Sequence, residues 1–318
     1  MSPSAGGESP LVVIAGPTGS GKSDLAVRIA EAFQGEVVNC DSLQLYRHLD
    51  IGTAKLPASE RRGVPHHLID ILDPDALFTA GDYARLARPL LADIARRRSL
   101  PVVEGGTGFY LRALLDGLAA APARDEALRA TLLGRAHRRP GFLHRLLRRL
   151  DHEAAARIHP NDRNKLIRAI EVSLREGRPI SRLFEERPRE PLSGFRTLKI
   201  GLDPPREELY WRLDARAEKM FRSGLIEEVQ RVLALGYSSS AKPLGSLGYR
   251  QAMELLSGRI TVAEAISSTA METRRYAKRQ LTWFRRDPGI EWHKGFGDAP
   301  EARRAVLERV RVFLGEER

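Results

Sequence analysis

Cysteine is almost absent: Cys40 is the only one in 318 residues. A lone thiol excludes an intrachain disulfide and any zinc cluster built on cysteines, and it suits a reducing compartment. Long apolar runs are missing as well. Leu11-Val12-Val13-Ile14-Ala15 falls far short of the ~20 residues a membrane span needs. Met1 to Pro10 has neither a basic stretch nor an apolar one, so it does not read as a signal peptide. Lysine is scarce: only eight of the 52 Lys and Arg residues are lysines, which leaves 44 arginines. Against 41 acidic residues this gives a formal net charge of +11. A GC-rich genome raises Arg and Ala together and accounts for part of the excess. The rest favours anionic partners, because the guanidinium fork fits phosphate. Nucleic acid comes ahead of a membrane surface, since no basic amphipathic helix carries a bulky aromatic face.

Apolar residues make up 42% and charged residues 29%. That is globular composition, with chain for two domains or one large one at ~150 residues per domain. Residues 11–15 read as a short buried strand. The helix after it carries Leu25, Ile29, Ala32 and Phe33 at helical spacing. Glu36-Val37-Val38-Asn39-Cys40 and Leu100-Pro101-Val102-Val103 predict two more strands, with a helix over Thr79 to Arg98 between them. Such alternation predicts an α/β fold, a parallel sheet with helices on both faces, with chemistry at the carboxyl ends of its strands. From Ala123 to Glu190 the character changes. This stretch holds 17 Lys and Arg against 10 Asp and Glu, or +7 of the total. Leu143, Leu146, Leu147 and Leu150 give one helical stripe, and Leu166, Ile170 and Leu174 another. The expectation is a basic helical insertion at 123–191 within a core formed by 1–122 and 192–318. Leu198-Lys199-Ile200-Gly201-Leu202 supplies the last strand. Helices follow over about Arg206 to Ala234, Tyr249 to Leu256, Thr261 to Arg286 and Ala299 to Leu314.

Gly16-Pro17-Thr18-Gly19-Ser20-Gly21-Lys22-Ser23 matches the phosphate-loop pattern in full, with a strand before it and a helix after it. Glycines let successive N–H groups turn around an anion, and the helix N-terminus adds about half a positive charge. Lys22 reaches the terminal phosphate, and the Ser23 hydroxyl is a candidate Mg²⁺ ligand. A glycine-rich turn that binds nothing is the competing reading. The loop leaves the phosphate compound open. A typical NTPase adds a strand ending in Asp and a residue that positions water; here the strand ends in Glu104-Gly105-Gly106, a poor match. A diphosphate donor other than ATP therefore stands beside a nucleotide.

Asp41 leaves the second strand at the same sheet edge as the loop. There it is a Mg²⁺ ligand, a general base, or simply the cap of the next turn. His66-His67 invites a metal reading, but adjacent residues seldom point to one ion and no third ligand stands at a telling spacing. Gly105-Gly106-Thr107-Gly108 permits close approach of backbone to ligand, a signal that any tight turn shares.

Taken together these segments resemble one family, the tRNA dimethylallyltransferases, also called tRNA isopentenyltransferases, in their bacterial form. The stretches that carry the resemblance are the loop at 16–23, Asp41-Ser42-Leu43-Gln44-Leu45-Tyr46, Asp50-Ile51-Gly52-Thr53-Ala54-Lys55, His66-His67-Leu68-Ile69-Asp70 and Gly105 to Tyr110. Further along come Ile158 to Asp162, Arg168 to Val172, Gly248-Tyr249-Arg250-Gln251 and Ala277-Lys278-Arg279-Gln280-Leu281-Thr282-Trp283. The resemblance implies an NTPase-like phosphate-loop fold. It also implies transfer of a dimethylallyl group from dimethylallyl diphosphate to N6 of the adenosine just 3′ of the anticodon in tRNA, with Mg²⁺ as cofactor. By this resemblance the loop holds a prenyl diphosphate, Asp41 is the general base, Thr18 stands beside the bridging oxygen, and Lys22 and Arg216 face the leaving group. Asp41 to Gln44 would read the target base. Thr107, Arg129 and the strip Asn164-Lys165-Leu166-Ile167-Arg168 would contact tRNA, as would Arg250, Lys278 and Arg279.

Two features of composition agree with an RNA partner. The insertion is basic, and Arg274 to Arg286 holds six basic and no acidic residues, with Tyr276, Trp283 and Phe284 interleaved. A core helix with buried aromatics is the plainer reading of that segment. One departure from the family stands at Gly245, where many members carry arginine. The expected state is a cytoplasmic monomer. The rivals are a phosphate-loop kinase of a small molecule or nucleotide, which leaves the basic insertion unexplained, and a non-catalytic RNA-binding protein, which leaves Asp41 without a role.

Overall fold

The structure is a computed structural model that describes residues 7–315; Met1 to Gly6 of the leader considered above lie outside them. Six parallel strands form one sheet in the order β3-β2-β4-β1-β5-β6. They are β1 (Ser9–Ala15), β2 (Gly35–Asn39), β3 (His66–His67), β4 (Leu100–Glu104), β5 (Phe195–Asp203) and β6 (Ile290–Lys294). β1 is central, with Val12 beside Val102 of β4 and Leu198 of β5. Its side chains alternate between two cores, as the period of a strand requires. Leu11, Val13 and Ala15 face one core with Tyr83, Leu91 and Leu114; Val12 and Ile14 face the other with Leu25, Ile29, Val306 and Val310.

Those cores are the buried faces of helices α1 (Lys22–Ala32), α2 (Ala80–Arg96) and α3 (Gly108–Leu115) and of the C-terminal helix described below. α2 opens on a capping box in which Thr79 and Asp82 satisfy each other's backbone N–H. By contrast, α1 opens on Gly21 in the left-handed region at φ 81°, with no side-chain cap. Its first N–H groups therefore face the strand ends unpaired by any capping side chain, a ready anion site.

The chain divides into two compact units, Met1–Leu115 with Leu192–Arg318, and Asp116–Pro191. The second is all-helical: α4 (Glu126–Arg138), α5 (Phe142–Leu150), α6 (His152–Arg157), α7 (Arg163–Glu176) and α8 (Ile180–Glu186). It has its own core of Leu132, Leu143, Leu147, Leu166, Ile167, Ile170 and Leu183. It begins at Asp116, ahead of the charge shift at Ala123, because the segment before α4 is tied to it. Arg187, Arg168 and Arg175 donate to the carbonyls of Ala120, Pro122 and Ala123.

Beyond it the first unit resumes with α9 (Arg206–Arg222), α10 (Leu225–Ala234), α11 (Tyr249–Leu256), α12 (Val262–Phe284) and α13 (Pro300–Leu314). Two expectations are corrected here. The helix over Arg206 to Ala234 is broken by Gly224 at φ 100°, and residues 198–202 are not the last strand. β6 adds an edge, in which Ile290 is buried while Glu291 and Lys294 are exposed. Among the described residues no helix is long and apolar enough to cross a membrane.

Candidate active site

The carboxyl ends of β1, β2 and β4 meet at one place. Lys22 is 8% exposed, and its Nζ donates to the Pro17 carbonyl at 2.8 Å. Burial lowers its pKa, while the charges of Glu104 and Asp41 hold it up. Gly21 is required twice over: its φ is positive, and a Cβ there would stand 2.8 Å from the backbone nitrogen of Asp298. Ser20 is fully buried, and its hydroxyl has no hydrogen-bond partner among the described residues. An anion in the loop would supply one.

Across the loop, Ser23 Oγ donates to Glu104 Oε1 at 3.2 Å. Glu104 is buried, which raises its pKa against the pull of Lys22. Gly105 follows because nothing larger fits: a Cβ there would lie 2.3 Å from the Cys40 carbonyl. The close approach lets Thr107 Oγ1 accept from Ser42 N–H at 3.0 Å. Within the same turn Asp41 Oδ1 accepts from Leu43 N–H at 2.8 Å. The carboxylate thus caps its turn as the plainer reading holds, and it also lines a cavity of about 220 Å³ with Lys22, Ser23 and Glu104.

Thr18, Asp41, Thr53 and Arg216 line that cavity and also a second, of about 430 Å³. The two are neighbouring chambers with a shared wall. Arg216, from α9, donates through Nη1 to Thr18 Oγ1 at 3.3 Å. Burial lowers its pKa, and Asp41 opposes that shift, so cation and carboxylate feel each other across the wall. Gln280 of α12, 5% exposed, locks the arrangement. Its Oε1 accepts from Thr18 N–H at 2.8 Å and its Nε2 donates to the Gly106 carbonyl at 2.8 Å. On the far side, buried Glu228 accepts from the N–H groups of Asp50 at 2.9 Å and Ile51 at 2.8 Å, and from the Tyr249 hydroxyl at 2.6 Å. These bonds fix the loop that brings Gly52 and Thr53 to the larger chamber. Tyr276, Glu272 and Arg250 complete its polar lining, and Leu213, Ala217 and Met220 its apolar side.

The family model for IPP transferase matches residues 44–287. The chain is 60% identical, over 96% of its length and 100% of the relative's, to a tRNA dimethylallyltransferase of Solibacter usitatus. The chain belongs to the tRNA dimethylallyltransferase family. A second relative bearing that name, from Koribacter versatilis, is 57% identical over 91% of this chain and 94% of its own. Among solved structures, a tRNA isopentenylpyrophosphate transferase of Bacillus halodurans superposes with a TM-score of 0.70 at 35% identity, covering 97% of this chain and 96% of that one. A eukaryotic dimethylallyltransferase acting on tRNA gives 0.80 at 26% identity, covering 97% and 80%. Members are transferases, and this chain is an enzyme of that class.

Against the family pattern, Thr18, Gly19, Gly21, Lys22, Ser23, Asp41, Gln44 and Arg216 come together at the smaller chamber. Ser42, Leu43, Arg250 and Arg279 line the larger one. Thr107 lies beneath Ser42 as a support. Pro17 offers its carbonyl to Lys22, and Gly16 sits under the Ser20 hydroxyl. Lys278 lines a third cavity. Trp283 is 37% exposed and Phe284 2%, so only Phe284 is a core residue.

Within the second unit, Leu166 and Ile167 are buried in its core. As RNA-contacting side chains they are a mistaken expectation, since a helix turns two of any five residues inward. Asn164 and Lys165 are exposed. Arg129 and Arg168 both pair with Glu171. His67 pairs with Glu36 and His66 contacts the Val64 carbonyl, as the plainer reading of that pair holds.

Glu104, Gln280, Thr53 and Glu228 went unassigned in the sequence. Gln280 lies within the Ala277 to Trp283 stretch that carries the resemblance, and Glu104 ends its strand where the NTPase pattern expects Asp. Among the described residues no cluster of three or more His, Cys, Asp or Glu is placed to hold a metal. The oxygens of Ser23 and Glu104 at the phosphate end suit a hard cation such as Mg²⁺, which takes one or two protein ligands beside phosphate oxygens.

Proposed function

We propose that this enzyme moves a dimethylallyl group from dimethylallyl diphosphate to N6 of the adenosine 3′-adjacent to the anticodon in tRNA and releases diphosphate. The observation that carries the chemistry is the wall shared by two chambers, with Thr18, Asp41 and Arg216 in it. One chamber has the amides and lysine that grip a diphosphate; the other has the room and mixed lining that suit a purine and a short prenyl chain. A base inside a folded anticodon arm cannot reach Asp41 unless it leaves its stack, so the adenosine is taken as flipped out.

The exocyclic amine is a weak nucleophile because its lone pair is delocalised into the ring. As that pair forms the new bond to the allylic carbon, the carbon–oxygen bond breaks and its electrons leave on the diphosphate. Asp41 accepts the N6 proton within hydrogen-bond reach. Lys22, Arg216, the Thr18 hydroxyl and the loop N–H groups meet the charge that gathers on the leaving group. Gln280 holds Thr18 in register. Ser23 and Glu104 would hold Mg²⁺, whose contribution when bound is to neutralise diphosphate charge. A monomer is the expected state, and the cytoplasm, where tRNA is processed, is the expected site. Kinase chemistry is disfavoured by the family.

Labelled dimethylallyl diphosphate or ATP, incubated with purified protein and unmodified tRNA, tests the proposal. Label from the prenyl donor in tRNA, with the modified adenosine seen by mass spectrometry of nucleosides, is the expected result. ATP turnover without RNA and no prenyl transfer would overturn it.

A further inference from the structure

Asp41 stands just past the end of β2, where the sheet ladder no longer holds the backbone. A general base must keep its carboxylate within hydrogen-bond reach of the proton it takes, and an error of about 1 Å in placement can cost roughly a hundredfold in rate. The N–H and C=O of Asp41 therefore need partners that fix them, and neither is paired with a backbone group among the described residues. One side chain serves both. Asn39 is 1% exposed. Its Oδ1 accepts from the Asp41 N–H at 2.9 Å, and its Nδ2 donates to the Asp41 carbonyl at 3.1 Å. Nδ2 also donates to the Leu68 carbonyl at 2.8 Å. The Asn39 backbone is held in turn. Its carbonyl accepts from the hydroxyl of buried Tyr83 at 2.9 Å, and the sheet registers it beside Glu104 of β4.

An amide suits this position better than its neighbours in chemistry. It carries two donors and an acceptor on a short stem, and here each has a partner. An ionised aspartate offers no donor to the two carbonyls, and a glutamine is longer by a methylene. The bond to Leu68 adds a second anchor. Leu68 follows edge strand β3 at φ 58°, a conformation that L side chains rarely adopt. Two residues on, Asp70 at φ 55° accepts from Lys55 Nζ at 2.5 Å, and the same ammonium donates to the Tyr46 carbonyl at 2.6 Å. The segment His66 to Asp70, one of the stretches that carry the family resemblance, thus forms a support beside the strand end, and Asn39 ties Asp41 to it. We infer that Asn39 is a positioning residue for the prenyl transfer: it clasps the backbone of Asp41 from both sides and so holds the carboxylate in the wall between the two chambers. The inference rests on Asp41 being the base of the reaction proposed above.

A double-mutant cycle tests it, read by single-turnover prenyl transfer to full-length tRNA below the melting point of every variant. Asn39→Ala should slow transfer between about ten- and a hundredfold, while the dissociation constants of tRNA and prenyl donor each move less than about threefold. In the Asp41→Asn background, where no base remains to be placed, the same change should slow the residual transfer less than about twofold. A residue that only supports the fold would slow both backgrounds alike. Asn39→Ser keeps an acceptor for the Asp41 N–H, since serine forms the same turn more weakly, and it should recover all but about three- to fivefold of the rate. It also carries the cycle if Asn39→Ala does not fold. A wild-type rate in Asn39→Ala, or in Asn39→Ser where the alanine variant does not fold, overturns the inference. So does an equal loss in both backgrounds, or a loss of donor or tRNA affinity as large as the loss of rate. If Asp41→Asn itself transfers at the wild-type rate, the base assignment fails and takes this inference with it; if wild-type protein transfers no prenyl group to tRNA, the proposed activity fails and both fall.

Discussion

Arg129 separates an RNA contact from a structural ion. Its Nε and Nη2 meet Oε1 and Oε2 of Glu171, both at 2.8 Å. The Asp125 N–H donates to Oε1 at 2.7 Å, and Arg168 adds a contact at 2.6 Å. Glu171 is fully buried. Burial alone would raise its pKa, but the Arg129 fork, the Asp125 amide and Arg168 outweigh it and bring the carboxyl down to about 2. Arg129→Ala leaves that carboxylate half-compensated in the core of the second unit, at a cost of about 3–5 kcal/mol. In a unit of this size each kcal/mol moves the midpoint by about 4–8 °C, so the unit should be melted or nearly so at 37 °C. Far-UV circular dichroism and limited proteolysis of 116–191 read this directly. Acid gives an independent arm. A depressed carboxyl pKa adds stability above about 4.5, and that stability is lost as pH falls from there toward about 2. At 1.36 kcal/mol per unit the loss amounts to about 3 kcal/mol, and Glu171→Gln should abolish that acid limb. If Arg129→Ala melts like wild type, resists protease equally and yet binds tRNA tenfold more weakly, the ion pair is not structural and Arg129 belongs to the RNA surface.

Three further outcomes follow from the site. Asp41→Asn should keep tRNA affinity, since an amide oxygen still caps the Leu43 N–H, while single-turnover prenyl transfer drops about 10²–10⁴-fold; unchanged turnover would remove Asp41 as the base. Glu228→Ala orphans the Asp50 and Ile51 amides and the Tyr249 hydroxyl, each worth about 1–3 kcal/mol when buried. It should lower the melting point by several degrees and raise the tRNA KM more than the donor KM, whereas equal shifts in both would deny the loop a role at the base-binding wall. Binding of tRNA should weaken steeply between 50 and about 200 mM salt, and reversing Arg145, Arg148 and Arg149 should flatten that response; a flat response in wild type would sink the electrostatic role of the second unit.

What could be read in the sequence divides by the range of the contacts involved. The phosphate loop was legible because its chemistry is written in eight consecutive residues, and β1 and α1 follow the periodicities of strand and helix on either side. Arg216 was not legible from its own surroundings. On α9 it resembles any solvated charge, and only its bond to Thr18, 198 residues away, gives it a place; the family resemblance supplied what spacing could not. Gln280 reaches Thr18 across 262 residues and had no signal of its own. β6 was missed because an edge strand buried on one face offers too few apolar residues to declare itself.

Charge was legible as a sum and illegible as a surface. The +7 of residues 123–190 pointed to an anionic partner, but it could not say which arginines are spent inside. Arg129 and Arg168 are consumed by Glu171, and Leu166 and Ile167 face the core. Arg135, Arg138 and Arg139 at the end of α4 and Arg145, Arg148 and Arg149 on α5 are exposed, with no acidic partner among the described residues. Counterion release depends on cations free to replace the ions around phosphate. If this unit holds RNA as proposed, the cations free to do so are those of α4 and α5 before the strip at 164–168, an ordering that follows from the pairing of Glu171 and from nothing in the composition.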